Sequence, residues 1–113
     1  TLMEDVHMNK VKIEFDAIPQ NEAFARMAIS GFILYLDPTI NDMADIKTAV
    51  SEAVTNSIIH GYDNKGGKIF LNAEVEEKKL RIEIRQESLY TQQNHMKNAL
   101  VLVLPLWKLL WII

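Results

Sequence analysis

The sequence predicts an α+β fold, a two-layer sandwich with helices on one face of a mixed or antiparallel sheet. Three observations predict it: strand-like alternation at residues 11–15, two successive stretches of helical spacing with no strand between them, and two further alternating stretches around a short polar turn. The order strand, helix, helix, strand, strand keeps helices apart from strands, so helices cover one sheet face instead of building βαβ units. At 113 residues the chain has room for one domain and one core.

Val11-Lys12-Ile13-Glu14-Phe15 alternates apolar and charged residues, the period of a strand with one buried face. Pro19-Gln20-Asn21-Glu22 interrupts it. Phe24, Met27, Ala28, Gly31, Phe32, Leu34 and Tyr35 then recur at helical spacing up to Leu36 and form the expected core face of the first helix. Asp37-Pro38 ends that helix, because a proline pushes the preceding residue out of the αR region. Thr39 and Asp42 fit a capping box at the start of the second helix. There Met43, Ile46, Val50, Ala53, Val54 and Ser57 make the expected core stripe, Glu52 and Asn56 lie at its border, and Gly61 ends the helix. After loop residues 63–67, residues 68–75 and 79–85 alternate as strands around Glu76-Glu77-Lys78. In the second of these, Leu80, Ile82 and Ile84 are expected inside and Arg81, Glu83 and Arg85 in water.

A net charge of −3 and a pI near 5.5 leave no basic stripe for counterion release, which argues against nonspecific nucleic-acid binding and for a protein or nucleotide partner. With no cysteine there is neither a disulfide framework nor a thiolate metal site, as suits a reducing cytoplasm. Residues 1–7 lack the basic and apolar regions of a secretory signal and read as a flexible extension ahead of Met8, so the expected location is cytoplasmic.

The chemistry concentrates in Ser51-Glu52-Ala53-Val54-Thr55-Asn56-Ser57-Ile58-Ile59-His60-Gly61-Tyr62. Glu52 and Asn56 are one helical turn apart, so a carboxylate and a carboxamide oxygen project toward one small volume. Such a pair suits a hard cation and a polarised water or hydroxyl, although a solvated helix face carries the same residues. The whole string resembles the N box of the Bergerat-type (GHKL) ATPases and kinases, in particular the branch of the sporulation anti-sigma factors. The resemblance runs over residues 8–85 and includes Pro19-Gln20-Asn21-Glu22-Ala23-Phe24-Ala25-Arg26 and Leu36-Asp37-Pro38-Thr39.

That resemblance implies a truncated Bergerat ATP-binding fold, with Mg-ATP as cofactor. It implies Glu52 as the general base that takes a proton from a serine hydroxyl of an anti-anti-sigma protein, and Asn56 as ligand to the Mg²⁺ of ATP. It makes Arg26 the contact residue for sigma factor and anti-anti-sigma protein, and it implies a homodimer with no direct nucleic-acid contact. Taken alone, Arg26 reads equally as a surface arginine laid along its helix, and His60 as a capping or packing residue.

The chain departs from the family after Arg85. Where the family has an Asp-x-Gly-x-Gly box for adenine and backbone approach, this chain reads Gln86-Glu87-Ser88-Leu89-Tyr90-Thr91, and no glycine follows Gly67. Residues 88–91 resemble the Pro-Leu-(Phe/Tyr)-Thr stretch beyond that box, which implies a segment dropped between Arg85 and Gln86. The domain reading is therefore a flexible extension at 1–7, a partial GHKL ATPase/kinase-like domain at 8–85 and a divergent apolar tail at 86–113. Codons chosen for residues 101–112 read, two nucleotides along, as Ala-Gly-Phe-Thr-Val-Met-Glu-Thr-Phe-Met-Asp, similar to the family's lid end, so the tail is expected to be out of frame. The apolar run 99–113 is broken by Pro105 and Lys108 and falls short of the ~20 residues of a bilayer span, while Trp107, Lys108 and Trp111 suit an interfacial anchor. Left exposed, residues 101–104 and 109–113 would aggregate, and docking where the sheet is incomplete is their expected folded fate. Three functions fit: an anti-sigma factor with ATP-dependent serine kinase activity, a catalytically dead protein-binding module, and a gene fragment lacking the ATP pocket.

Overall fold

The computed structural model describes residues 8–61, 66–76, 79–87 and 96–105. The chain forms β1 (Asn9–Asp16), α1 (Asn21–Ile33) with a 3₁₀ turn (Leu34–Leu36), and α2 (Ile40–Asn56) with a π-helical turn (Ser57–Gly61). Three strands follow: β2 (Lys68–Glu76), β3 (Lys79–Glu87) and β4 (Met96–Pro105). The sheet has the order β1-β2-β3-β4, and every pair is antiparallel. The α+β sandwich is thus the observed fold, with an antiparallel sheet.

The two helices lie together on the sheet, α1 beside β1 and α2 over β4. Between the layers, every second residue of the central strands is buried, Ile69, Leu71, Ala73 and Val75 from β2 and Leu80, Ile82 and Ile84 from β3. The expected stripe of α2 meets them, with Ile46, Val50, Ala53, Val54 and Ser57 buried and Met43 packed against the cluster. At its start the Asp42 N–H donates to the Thr39 hydroxyl at 3.0 Å and the Thr39 N–H to the Asp42 carboxylate at 3.4 Å, the expected capping box. Such a cap contributes about 1 kcal/mol.

Helix α1 corrects the sequence reading. Its buried residues are Ala25, Ile29 and Ile33, followed by Leu36, whereas Phe24, Met27, Gly31, Leu34 and Tyr35 are exposed. Met27 is 62% and Leu34 66% exposed. The helix is apolar on nearly every side, so its periodicity fits two faces, and packing against α2 and β1 selects the one with compact branched side chains. Phe24 keeps one contact with the core, an edge-on stack on Phe15 with centroids 5.9 Å apart. The helix ends as expected before Pro38: Asp37 takes φ 57°, the one non-glycine with positive φ among the described residues. Gly66, at φ 89°, allows the turn that leads into β2.

A second correction lies on β3. Arg81 and Arg85 reach solvent, but Glu83 between them is only 3% exposed. Both guanidinium groups donate to its Oε2 at 2.8 Å, so the carboxylate is covered by its own neighbours on the strand. Burial pushes this carboxyl up, yet the Arg85 hydrogen bond, the Arg81 and Arg85 charges and a hydrogen bond from Asn72 outweigh it, and its pKa lies below the usual value. A carboxyl depressed by folding adds stability above its unfolded pKa and loses it as pH falls through the folded value. The thermal midpoint should therefore drop on acidification below about pH 4.3. In Glu83→Gln that part of the drop should vanish; an unchanged pH profile would remove Glu83 from the acid response.

Strand β3 continues past Arg85 through Glu87, so the junction expected between Arg85 and Gln86 lies inside a strand. The β3–β4 register slips there: Ile84 faces Leu100 and Arg85 faces Asn98, leaving Ala99 as the extra residue of a bulge. Residues 1–7, 62–65, 88–95 and 106–113, which carry the expected extension, the Tyr62 end of the N-box string and most of the tail, lie outside the described residues.

Candidate functional site

The sheet and the capping box hold α2, a 17-residue helix whose last turns bury Ala53 and Val54 against the core and leave another side in solvent. Glu52 and Asn56 are both exposed on that side, with Ser51 and Thr55 beside them, and these four residues line one shallow cavity of about 270 Å³. Ligand pockets usually hold ~300–1,000 Å³. The space beside Glu52 falls just below that range, and among the described residues its wall comes from α2 alone. The structure therefore brings Glu52 and Asn56 together as the spacing predicts, and adds the exposed Thr55, whereas the Ser51 hydroxyl is buried without a hydrogen-bond partner. That addition was readable in principle, since Thr55 lies three residues after Glu52 on the same side of the helix.

Immediately after Asn56 the helix widens into the π turn Ser57–Gly61. The Ser57 N–H reaches both the Ala53 and Val54 carbonyls, while the buried Ser57 hydroxyl has no partner. Widened turns of this kind recur at functional sites because they re-aim the residues that follow. No sequence signal marks the π turn.

Arg26 is not part of the cavity at Glu52. It projects from α1, half exposed, and pairs with Glu22 one turn earlier at 3.4 Å. Glu22 in turn lines a second cavity of about 380 Å³, with Pro19, Thr55, Ile58 and Ile59, between the start of α1 and the π turn. Thr55 borders both cavities, so the Arg26 region and the Glu52 region flank one end of α2.

The donor set at Glu52 and Asn56 consists of hard oxygens. Among the described residues no three His, Cys, Asp or Glu side chains gather to hold a metal by themselves. Mg²⁺ is commonly held by one or two side-chain oxygens plus substrate phosphates and water, and the carboxylate and carboxamide fit that manner of binding.

Residues 17–99 match the family model described as histidine kinase-like ATPase domain. This chain belongs to that family. Among its relatives in the histidine kinase-like ATPase family, the anti-sigma F factor of Clostridium botulinum (strain Eklund 17B / Type B) is 55% identical over 80 residues, covering 70% of this chain and 56% of the relative. The anti-sigma F factor of Shouchella clausii is 49% identical over 80 residues, covering 70% and 55%. That of Clostridium kluyveri (strain ATCC 8527) is 41% identical over 103 residues, covering 80% and 72%. The chain thus spans about half the length of the first two curated relatives it matches. Glu52, Asn56, the capping box and the π turn fall inside the segment matched to the ATPase family. Among the described residues no helix is long and apolar enough to cross a membrane.

Proposed function

We propose that this chain acts as an anti-sigma factor in the cytoplasm, binding a sigma factor and phosphorylating a serine of an anti-anti-sigma protein with ATP. The observation that carries this reading is the joint display of Glu52 and Asn56 in one solvent-open cavity within the ATPase-family segment. Asn56 would hold the Mg²⁺ of ATP through its carboxamide oxygen. When bound, that ion supplies charge neutralisation at the phosphate oxygens. Glu52 would orient the serine hydroxyl and take its proton, a task open to a carboxylate that stands in solvent reach and forms no ion pair among the described residues. Thr55 would add a hydroxyl donor along the same wall.

Isothermal titration of the chain with Mg-ATP tests this reading. Saturable heat is the expected result; no heat up to about 1 mM nucleotide, an affinity weaker than ~4 kcal/mol, would sink it.

A second reading, a protein-binding module without catalysis, is favoured by the exposed apolar stripe of α1. Phe24, Met27 and Leu34 stand in solvent on the helix that carries Arg26, while the glycine box that would close a nucleotide pocket is missing from the sequence. Under this reading sigma factor is retained on the immobilised chain without nucleotide, and Arg26→Ala weakens that retention.

A further inference from the structure

Resting on the nucleotide reading above, we propose that Ser57 and Gln86 read the purine base, and that they accept a 6-oxo purine nucleotide as readily as the 6-amino purine of ATP. Each side chain holds a buried polar atom with no partner, the Ser57 hydroxyl and the Gln86 Oε1. Buried polar atoms are almost always paired, so two such orphans on neighbouring elements call for a ligand that supplies the missing bonds.

The fold brings the two toward one seam. Gln86 lies two residues beyond Ile84 on β3, and strand alternation puts it on the helix-facing side with Leu80, Ile82 and Ile84. Ser57 follows Asn56 directly, is only 2% exposed, and opens the π turn that packs on β3. Register sets both at the same end of the sheet. Gln86 faces Ile69 at the start of β2, and Ile69 in turn faces Phe15 at the end of β1. Pro19, just beyond β1, lines the second cavity with Ile58 and Ile59 of the π turn. Gln86 as a whole is half-buried, so the seam is open to solvent on its side. A nucleotide held through its phosphates at Asn56 can lay its base into this adjoining seam.

The two side chains share one chemical property that sets the breadth of recognition. An amide carries an acceptor at one end and donors at the other, and a hydroxyl both donates and accepts. Among the described residues no hydrogen bond fixes either group, so the amide is free to turn over. With its oxygen toward the exocyclic group, Gln86 accepts from the 6-amino group of adenine and donates to the adjacent ring nitrogen. Turned over, it donates to the 6-oxo group of hypoxanthine or guanine and accepts from the ring N–H. A carboxylate at this position could only accept, and would favour adenine. The neutral amide carries no such preference.

Isothermal titration of the full chain with the Mg²⁺ complexes of ATP, inosine triphosphate and purine riboside triphosphate tests this, the last carrying only hydrogen where the others have the amino or oxo group. ATP and inosine triphosphate are expected to bind within about threefold of each other, and purine riboside triphosphate about 10–100-fold more weakly, because it leaves the buried amide oxygen unpaired. A preference above about tenfold for ATP over inosine triphosphate, or equal binding of all three, overturns the proposal and leaves nucleotide binding standing. Absence of heat with all three removes the nucleotide reading and base recognition with it. Gln86→Leu keeps the volume but neither polar end, and is expected to bind the three alike with its thermal midpoint held or raised. A Gln86→Leu chain that still sets purine riboside triphosphate apart takes the role from Gln86. Should Gln86→Leu fail to fold, Gln86→Glu decides: able only to accept, it is expected to favour ATP over inosine triphosphate by about tenfold, and an unchanged ratio overturns the assignment.

Discussion

Ile82→Ala is expected to lower the stability of the domain by about 2–5 kcal/mol, the usual range for emptying a fully enclosed aliphatic site. Ile82 has no solvent exposure, and its register partners are Ala73 on β2 and Leu102 on β4. Ala73 is too small to fill the space a lost isoleucine leaves, and the helices above are held by their own packing, so little of the cavity can collapse. A domain of this size has only about 5–15 kcal/mol in total. The change would therefore shift the urea midpoint by a large fraction of its value. Ile40→Ala is the matched control: Ile40 is 87% exposed in the first turn of α2, and its truncation should move the midpoint little. Equal effects from both substitutions would mean that the sheet–helix interface is not the core that stabilises the fold.

Glu52→Gln is expected to reduce serine phosphorylation by about 10²–10⁴-fold, the range for removing a positioned general base. The amide keeps the shape and the hydrogen-bonding reach of the carboxylate but takes up no proton. Because Glu52 is exposed, the thermal midpoint should stay where it is, and nucleotide affinity should change far less than the rate. Transfer of labelled phosphate to the anti-anti-sigma serine, measured beside thermal unfolding, separates these effects. Retention of the wild-type rate by Glu52→Gln would take the base role from this residue.

Much of the fold could be read directly because local and global preferences agree. Strands β1 and β3 alternate apolar with polar residues and β2 does so apart from Phe70, and alternation has one structural meaning once one face is buried. The start of α2 was equally legible, since a threonine followed three residues later by an aspartate satisfies the first amides of a helix from local chemistry alone. Helix α1 was not legible in the same way. With Phe24, Met27 and Leu34 on one side and Ala25, Ile29 and Ile33 on another, apolarity does not distinguish the faces, and only the shape of the neighbouring layer does. Glu83 was misread for a related reason: strand alternation gives the direction of a side chain, but whether two arginines fold over it depends on the rotamers of its neighbours.

The site divides along the same line. Spacing was enough to put Glu52 and Asn56 on one face, and the surrounding string was enough to place the chain in the histidine kinase-like ATPase family. The π turn and the link from Arg26 through Glu22 to the second cavity emerged only in three dimensions.

By itself, then, the sequence determined the element types, the α+β class, the cap of α2 and the Glu52–Asn56 pair, because each depends on residues within a turn or two of one another. Tertiary structure alone decided which face of α1 is buried, that Glu83 is enclosed between two arginines, and that residues 96–105 complete the sheet as its fourth strand. Those outcomes depend on contacts between residues far apart in the chain, where several local choices are nearly equal in energy and packing against a particular neighbour selects among them.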